Sequence, residues 1–261
     1  SDYLIDRVSE FLGSGFEASS ISVLPWAVSI KDARIRLREM PVTVTISRIR
    51  IGFNLLDLLA HRLNPLYGTD EIYLDRPRFT WMLNGSARHE TKLPFDEIPV
   101  FMFNDLPEIM VNIDRGSFVI TRRDDSIVLA EDISGLLDAR QKDALVLHVK
   151  GKILSDVDNT QLSGYLNRHN DSYTMTFVSD AVDLTRGNLA LLTGDITPVG
   201  GRLSLTVDAL QKDNHVSIDG GFSLTGGAFD IQQLNTGIRN ITVRGALNER
   251  EIVLDDMTGM V

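Results

Sequence analysis

The sequence predicts a mainly β fold: an elongated antiparallel β-sheet folded into a groove or taco with a hydrophobic interior, plus a few short helices near the N-terminal end and mid-chain. Three observations predict it. Apolar and polar residues alternate at period two through most of the chain, which puts one side-chain set on each face of a strand. Gly, Asp and Asn turn signals separate these runs at intervals of roughly 8–12 residues, the mark of an antiparallel meander with one buried face. Two segments, 112–137 (NIDRGSFVITRRDDSIVLAEDISGLL) and 238–261 (IRNITVRGALNEREIVLDDMTGMV), repeat one cadence: a strand with a central glycine, a charged turn, and a second strand ending in an acidic pair and a glycine. Such repetition of form points to an array of hairpins stacked on one another.

In chain order, residues 2–12 place Leu4, Val8, Phe11 and Leu12 at helical spacing, and Gly13-Ser14-Gly15 stops that helix. Phe16 to Val23 reads as a strand, Pro25 breaks it, and Trp26 to Ile30 and Ala33 to Leu37 follow as two more. Val42 to Phe53 alternates with a slip of phase at Ser47-Arg48, the signature of a β-bulge. Asn54 caps a predicted helical insert over 54–63, and Asn64-Pro65 and Tyr67-Gly68 mark the turn after it. Glu71 to Leu83 is a strand interrupted at Arg76-Pro77, where proline argues for an edge, a bulge or a bend. Residues 84–106 are the least regular part and read as a loop or a lid.

From Ile109 the β pattern resumes, with strands over Ser126 to Ile133, Ala144 to Ile153, Thr160 to Leu166 and Ser172 to Val178. A second helical interruption is predicted at Asp183 to Leu192. Beyond it, Leu203, Leu205 and Val207, then Val216, Ile218, Phe222 and Leu224, then Ile241 and Val243 alternate cleanly, with Gly200-Gly201 and Gly226-Gly227 read as hairpin turns. The chain divides into residues 1–106, which hold the helical insert, and 107–261, a continuing β-groove that stops while a strand pattern is still running. With no initiating methionine, it reads as a segment of something longer.

Composition narrows the function. A net charge of −10 and a pI near 4.9 argue against a nucleic-acid partner. The alternating Arg34, Arg36 and Arg38 read as a solvated strand face. The absence of cysteine removes thiolate chemistry and disulfides, and no apolar run is long enough to span a membrane. The five histidines are scattered without ligand spacing, so no metal or other cofactor is expected. Asp124-Asp125 and Asp255-Asp256 are turn and strand-end carboxylates rather than an acid–base pair, and no P-loop, nucleophile elbow or dinucleotide fingerprint occurs. An enzyme is not expected.

What remains is geometric: a long row of strands, apolar on one face, with little to cover it. Two facing sheets would bury that face in a closed core, whereas an open trough would expose a strip suited to an apolar ligand. Candidate lining residues are Val44, Ile46, Ile51, Phe53, Leu74, Phe79, Trp81, Leu205, Val207, Ile218, Phe222, Ile241 and Val243.

The ordered combination ISVLPWAVSIKDARIRL (21–37), VTVTISRIRIGFNLLDLL (42–59) and EIYLDRPRFTW (71–81) resembles the N-terminal region of the AsmA/TamB superfamily of bacterial envelope proteins. IDGGFSLTGGAFDI (218–231) and the segment 238–261 are similar to the repeated elements of that family. The resemblance implies a periplasmic β-groove anchored to the inner membrane by a spanning helix outside this chain, with residues 1–106 membrane-proximal. It also implies a bridge-like conduit for phospholipid toward the outer membrane, partnered in TamB-type members by an outer-membrane β-barrel, and no catalytic motif. The alternative is a scaffold for envelope or outer-membrane protein assembly that binds partners along a sheet edge.

Overall fold

The computed structural model describes residues 15–24, 26–36, 41–54, 59, 68–83, 108–122, 125–141, 143–167, 170, 172–187, 189, 196–212, 215–231 and 236–260. They form one sheet of fourteen strands that does not close on itself. The strands are β1 (Gly15–Glu17), β2 (Ser20–Leu24), β3 (Ala27–Arg36), β4 (Val42–Phe53), β5 (Thr69–Met82), β6 (Met110–Arg122) and β7 (Asp125–Asp138). They continue with β8 (Ala144–Ile153), β9 (Thr160–Asn167), β10 (Ser172–Asp183), β11 (Ile196–Lys212), β12 (His215–Ile231), β13 (Thr236–Asn248) and β14 (Ile252–Met260).

From β3 onward each strand pairs with the next in sequence, so the order in space is the order in the chain. The sheet is antiparallel as expected, with one exception: β5 and β6 are parallel. A parallel neighbour needs a connection long enough to return the length of the strand, and the chain between Leu83 and Glu108 supplies it. The strand expected over Phe16 to Val23 is two pieces, both paired to β3: β1 meets its C-terminal end and β2 its N-terminal end. The two strands expected after Pro25 are instead one, β3.

The phase slip at Ser47-Arg48 is real, but it is not a bulge of β4 against its neighbours. Lys31 pairs with Arg48 and Ala33 with Ile46, so the register passes through unbroken. It does so because the adjacent strands slip at the same level. Asp32 on β3, Arg76 on β5 and Arg115 on β6 have φ of 50°, 52° and 53°. Each left-handed residue lets its strand return an apolar side chain to the same face one position late: Ile30 then Ala33, Leu74 then Pro77, Ile113 then Gly116. The gap between β1 and β2 falls on this line, where the Ser19 hydroxyl donates to Asp32 Oδ2 at 2.8 Å.

Pro77 therefore sits mid-strand, buried, between β4 and β6 rather than at an edge. Its missing N–H coincides with the break in the β5–β6 ladder between Asp75 and Arg78. Similar kinks recur at Asp132 (φ 49°), Ala181 (φ 51°), Gly201 (φ 115°), Gly226 (φ 63°) and Asn240 (φ 54°), on β7, β10, β11, β12 and β13. The expected hairpin turns at Gly200-Gly201 and Gly226-Gly227 are thus corrected. Both pairs lie inside long strands, and Gly200 pairs with Ala228 at a register shift. Glycine serves a left-handed bulge as readily as a turn.

No helix is among the described elements. The helix expected over 183–192 is not supported in its described part: Asp183 ends β10 and residues 184–187 form a turn, while 188 and 190–192 lie outside the described residues. Asp183 Oδ1 accepts from the Thr185 N–H at 3.0 Å and the Thr185 hydroxyl at 2.6 Å, a turn bonding pattern that competes with helix. The predicted N-terminal helix, nearly all of the insert 54–63 and the segment 84–106 lie outside the described residues.

Candidate functional site: the apolar face of the sheet

Strand pairing turns the period-two pattern into rows that cross the sheet. One row runs Ile21, Ile30, Ile49, Leu74, Ile113, Gly135, Val149, Leu162, Phe177, Val207, Gly220, Leu247, Ile252, each residue the register partner of the next. It contains no polar residue. Two residues along each strand, the next row reads Val23, Val28, Ile51, Ile72, Val111, Leu137, Leu147, Gly164, Met175, Ala209, Ile218 and is also wholly apolar. Between these two lies a row of the opposite face: Ser22, Ser29, Arg50, Tyr73, Asn112, Leu136, His148, Ser163, Thr176, Asp208, Asp219, Asn248. One leucine apart, it is polar, and it is stitched by cross-strand bonds such as Tyr73 Oη to Asp114 Oδ2 (2.9 Å) and Thr176 Oγ1 to Asp208 Oδ1 (2.6 Å). That bond to Asp114 raises the Tyr73 phenol above its ordinary range.

The apolar face is covered unevenly. Near β1–β4 it packs into a cluster in which Ile30, Val44, Ile46 and Ile49 are buried. A second cluster, reached from the first through the register partners Phe79 and Phe118, joins Ile120, Ile127, Leu154, Val182 and Leu189. Here the turn after β10 folds over the face, and a Cβ on Gly187 would come within 2.8 Å of Ile127. A hollow of about 440 Å³ beside this turn is lined by Ile127, Leu129, Lys152, Leu154, Asp156 and Arg186. Both of its cations are paired, Arg186 with Asp156 and Lys152 with Asp132 at 2.6 Å, and Asp156 is held below the ordinary carboxylate range by the Arg186 guanidinium.

Beyond these clusters the rows stay half-exposed. Leu74, Ile113, Val149, Leu162, Phe177 and Val207 are all only half-buried, and no second sheet faces them among the described residues. Where a row contains glycine, a neighbour leans into the space. A Cβ at Gly135 would meet Val149 Cγ2 at 2.8 Å, one at Gly164 would meet Met175 Cγ at 3.3 Å, and one at Gly220 would meet Leu247 Cδ1 at 3.2 Å. The apolar surface is therefore continuous although its letters are not.

Every candidate lining residue falls on this face. Val44, Ile46 and Ile241 are buried, at 9%, 4% and 5% exposure, and act as core. Ile51, Phe53, Leu74, Phe79, Trp81, Leu205, Val207, Ile218, Phe222 and Val243 are half-buried. Trp81 meets Phe118 edge-on at 6.4 Å between ring centroids. Residues of the same rows that the candidate set omits, such as Ile113, Val149, Leu162 and Phe177, carry the same signal: same-phase apolar positions on consecutive strands. Among the described residues no group of three His, Asp or Glu side chains converges as a metal site would require.

No family model matches the chain, and no curated protein matches it.

Proposed function

We propose that the chain is a lipid-binding segment of an inner-membrane-anchored periplasmic protein of the AsmA/TamB kind, holding phospholipid acyl chains along the apolar face and conducting them toward the outer membrane. The observation that supports this most is the unbroken apolar row from Ile21 to Ile252, half-exposed from Leu74 to Leu247. At roughly 4.8 Å between strands it extends on the order of 60 Å, longer than one acyl chain. Burial of methylenes, roughly 0.8 kcal/mol each, supplies affinity without a polar recognition site, and the same surface at every strand lets a chain slide. Curling of the sheet into a groove belongs to this reading: kinks at matching levels on neighbouring strands would bend it in concert. The protein acts in this reading as a non-enzymatic carrier, and its partners are phospholipid, the membrane and, through the parent protein, an outer-membrane barrel.

The test is mass spectrometry of lipid extracted from purified protein, with photocrosslinkers at Phe53 and Phe222. Co-purified phospholipid crosslinked at both positions is expected. Val207→Asp should abolish capture while the protein stays folded, because Val207 is half-exposed; Thr206→Asp, on the opposite face, should leave capture intact. Absence of lipid from the protein and from both crosslinkers overturns the proposal.

A specific observation also favours the scaffold reading. Among the described residues strand β14 pairs only with β13, and its Ile252, Leu254 and Met257 are 70%, 56% and 61% exposed. Such an edge suits strand addition by a partner. Proline at Leu254, whose N–H faces away from β13 because Asn248–Glu251 and Ala246–Val253 are the hydrogen-bonded pairs, would block that addition.

A further inference from the structure

We propose that the tip of the β2–β3 hairpin and the polar face beside it form a docking surface for an anionic lipid membrane. The surface has two parts, each anomalous for a solvated sheet face.

The first is apolar. Val23, Leu24 and Trp26 are 60%, 52% and 54% exposed at the hairpin tip. Their exposure is not fraying: Leu24 pairs with Ala27, and the Trp26 carbonyl accepts the Phe53 N–H at 3.0 Å. Tryptophan and aliphatic side chains exposed together at the end of paired strands are what inserts at a lipid headgroup boundary.

The second is basic. Strands β3 and β4 carry Lys31, Arg34, Arg36, Arg48 and Arg50 against the single acid Asp32, in a chain of net charge −10. Register places Lys31 directly opposite Arg48, and Arg34 and Arg78 on either side of Thr45. Like charges facing each other across a ladder destabilise it. The acids in register with them, Glu17 opposite Arg34 and Asp75 opposite Arg48, pair with other arginines. Asp75 is held by Arg115 at 2.6 Å and Arg76 at 3.4 Å, Glu17 lies 3.8 Å from Arg36, and Asp32 takes the Ser19 hydroxyl. Lys31, Arg34, Arg48, Arg50 and Arg78 remain exposed, with no ion pair among the described residues.

A plane of unneutralised cations complements anionic headgroups, and the acidity of the rest of the chain turns this face toward a negative surface. Nucleic acid would satisfy the cations but not the apolar tip. The cationic part of the docking surface is on the face opposite the apolar rows, whereas Val23 at the tip begins one of them.

The experiment is flotation of the purified chain with vesicles of phosphatidylcholine alone and of phosphatidylcholine mixed with phosphatidylglycerol. A Trp81→Phe background makes Trp26 the only tryptophan. Binding only to the mixed vesicles, weakened by salt and accompanied by a blue shift of Trp26 emission, is expected. At about 1 kcal/mol per cation near an anionic surface, Arg48→Gln with Arg50→Gln weakens binding on the order of thirtyfold. Trp26→Ala abolishes insertion, and Arg244→Gln on β13 changes nothing. Trp26→Ala and Arg244→Gln leave the melting curve unchanged, and the double substitution, which removes the Lys31–Arg48 repulsion, does not lower it. Equal binding to both vesicle types, indifference to the double substitution, or tighter binding to duplex DNA than to mixed vesicles overturns the proposal.

Discussion

The ring of Phe222 on β12 lies over the backbone of Gly245, its register partner on β13. A Cβ on that glycine would come within 2.8 Å of two ring carbons and would also strike the Val253 carbonyl of β14. One hydrogen atom in place of a side chain thus lets an aromatic ring lie across the apolar face and lets the last strand pair. Gly245→Val displaces both. It should cost about 1–3 kcal/mol, the usual penalty of overpacking. Urea unfolding measures the loss, and amide exchange should show β14 losing protection before β10.

The kinks have a separable backbone cost. Gly226 has φ of 63° and nothing within 4 Å of where a Cβ would stand, so Gly226→Ala tests conformation without packing. It should destabilise by about 1 kcal/mol, the cost of a left-handed non-glycine residue. The reverse applies at Ala181, exposed with φ of 51°. Ala181→Gly should stabilise by about 0.5–1 kcal/mol after the larger unfolded-state entropy of glycine is counted. Thermal melts of the two variants should move in opposite directions.

Asp75 is 9% exposed and lies between two left-handed arginines, accepting Arg115 Nη2 at 2.6 Å. Asp75→Ala leaves both guanidinium groups facing each other across the parallel pair. The expected loss is about 1–3 kcal/mol, the range for hydrogen bonds to charged groups. Asp75→Asn should recover part of it, and denaturant titration of the two variants gives the order.

The turn over the apolar face responds to acid. Bonds from the Thr185 hydroxyl and N–H hold Asp183 below its ordinary value of 3.8. A carboxylate whose folded pKa is depressed contributes stability above its unfolded pKa and loses it as pH falls through the folded value. Asp138, beside Arg140, acts in the same sense. Denaturant midpoints should therefore fall as pH is lowered below about 4, and Asp183→Asn should fall less steeply because it lacks one of the contributing carboxylates.

Much of the sheet is legible because a face that is apolar throughout imposes period two on every strand. The side on which Val207 or Trp81 lies follows from counting along the strand. The kinks are harder to read. Arg76, Arg115 and Ala181 adopt a conformation usually marked by glycine, and nothing in those letters marks it. The slip is visible in β4 as Ile46 followed by Ile49, but only comparison with Ile30 and Ala33, or Ile113 and Gly116, shows that the strands slip together. The glycine pairs at 200–201 and 226–227 mislead for the converse reason, since a bulge and a turn use the same conformational freedom. Asp183 reads as a helix start until its side chain is seen bonding Thr185. Arg34 and Arg36 look like an ordinary outer face until register brings Arg78 and Arg48 into the same plane. The depth of Ile241 and the openness at Val207 are set by neighbouring strands, and no local pattern distinguishes them.

Because each strand beyond β6 pairs only with its predecessor and successor, reach is a countable quantity in this protein. Excision of β11 and β12 would bring Phe177 of β10 against Leu247 of β13 in the same antiparallel sense, with the row intact. The molecule would be shorter by roughly 10 Å, two strand spacings, and duplication would lengthen it by the same step. Genes encoding such sheets can therefore change span by whole hairpins, as a ruler gains or loses divisions, without redesign of the cross-section.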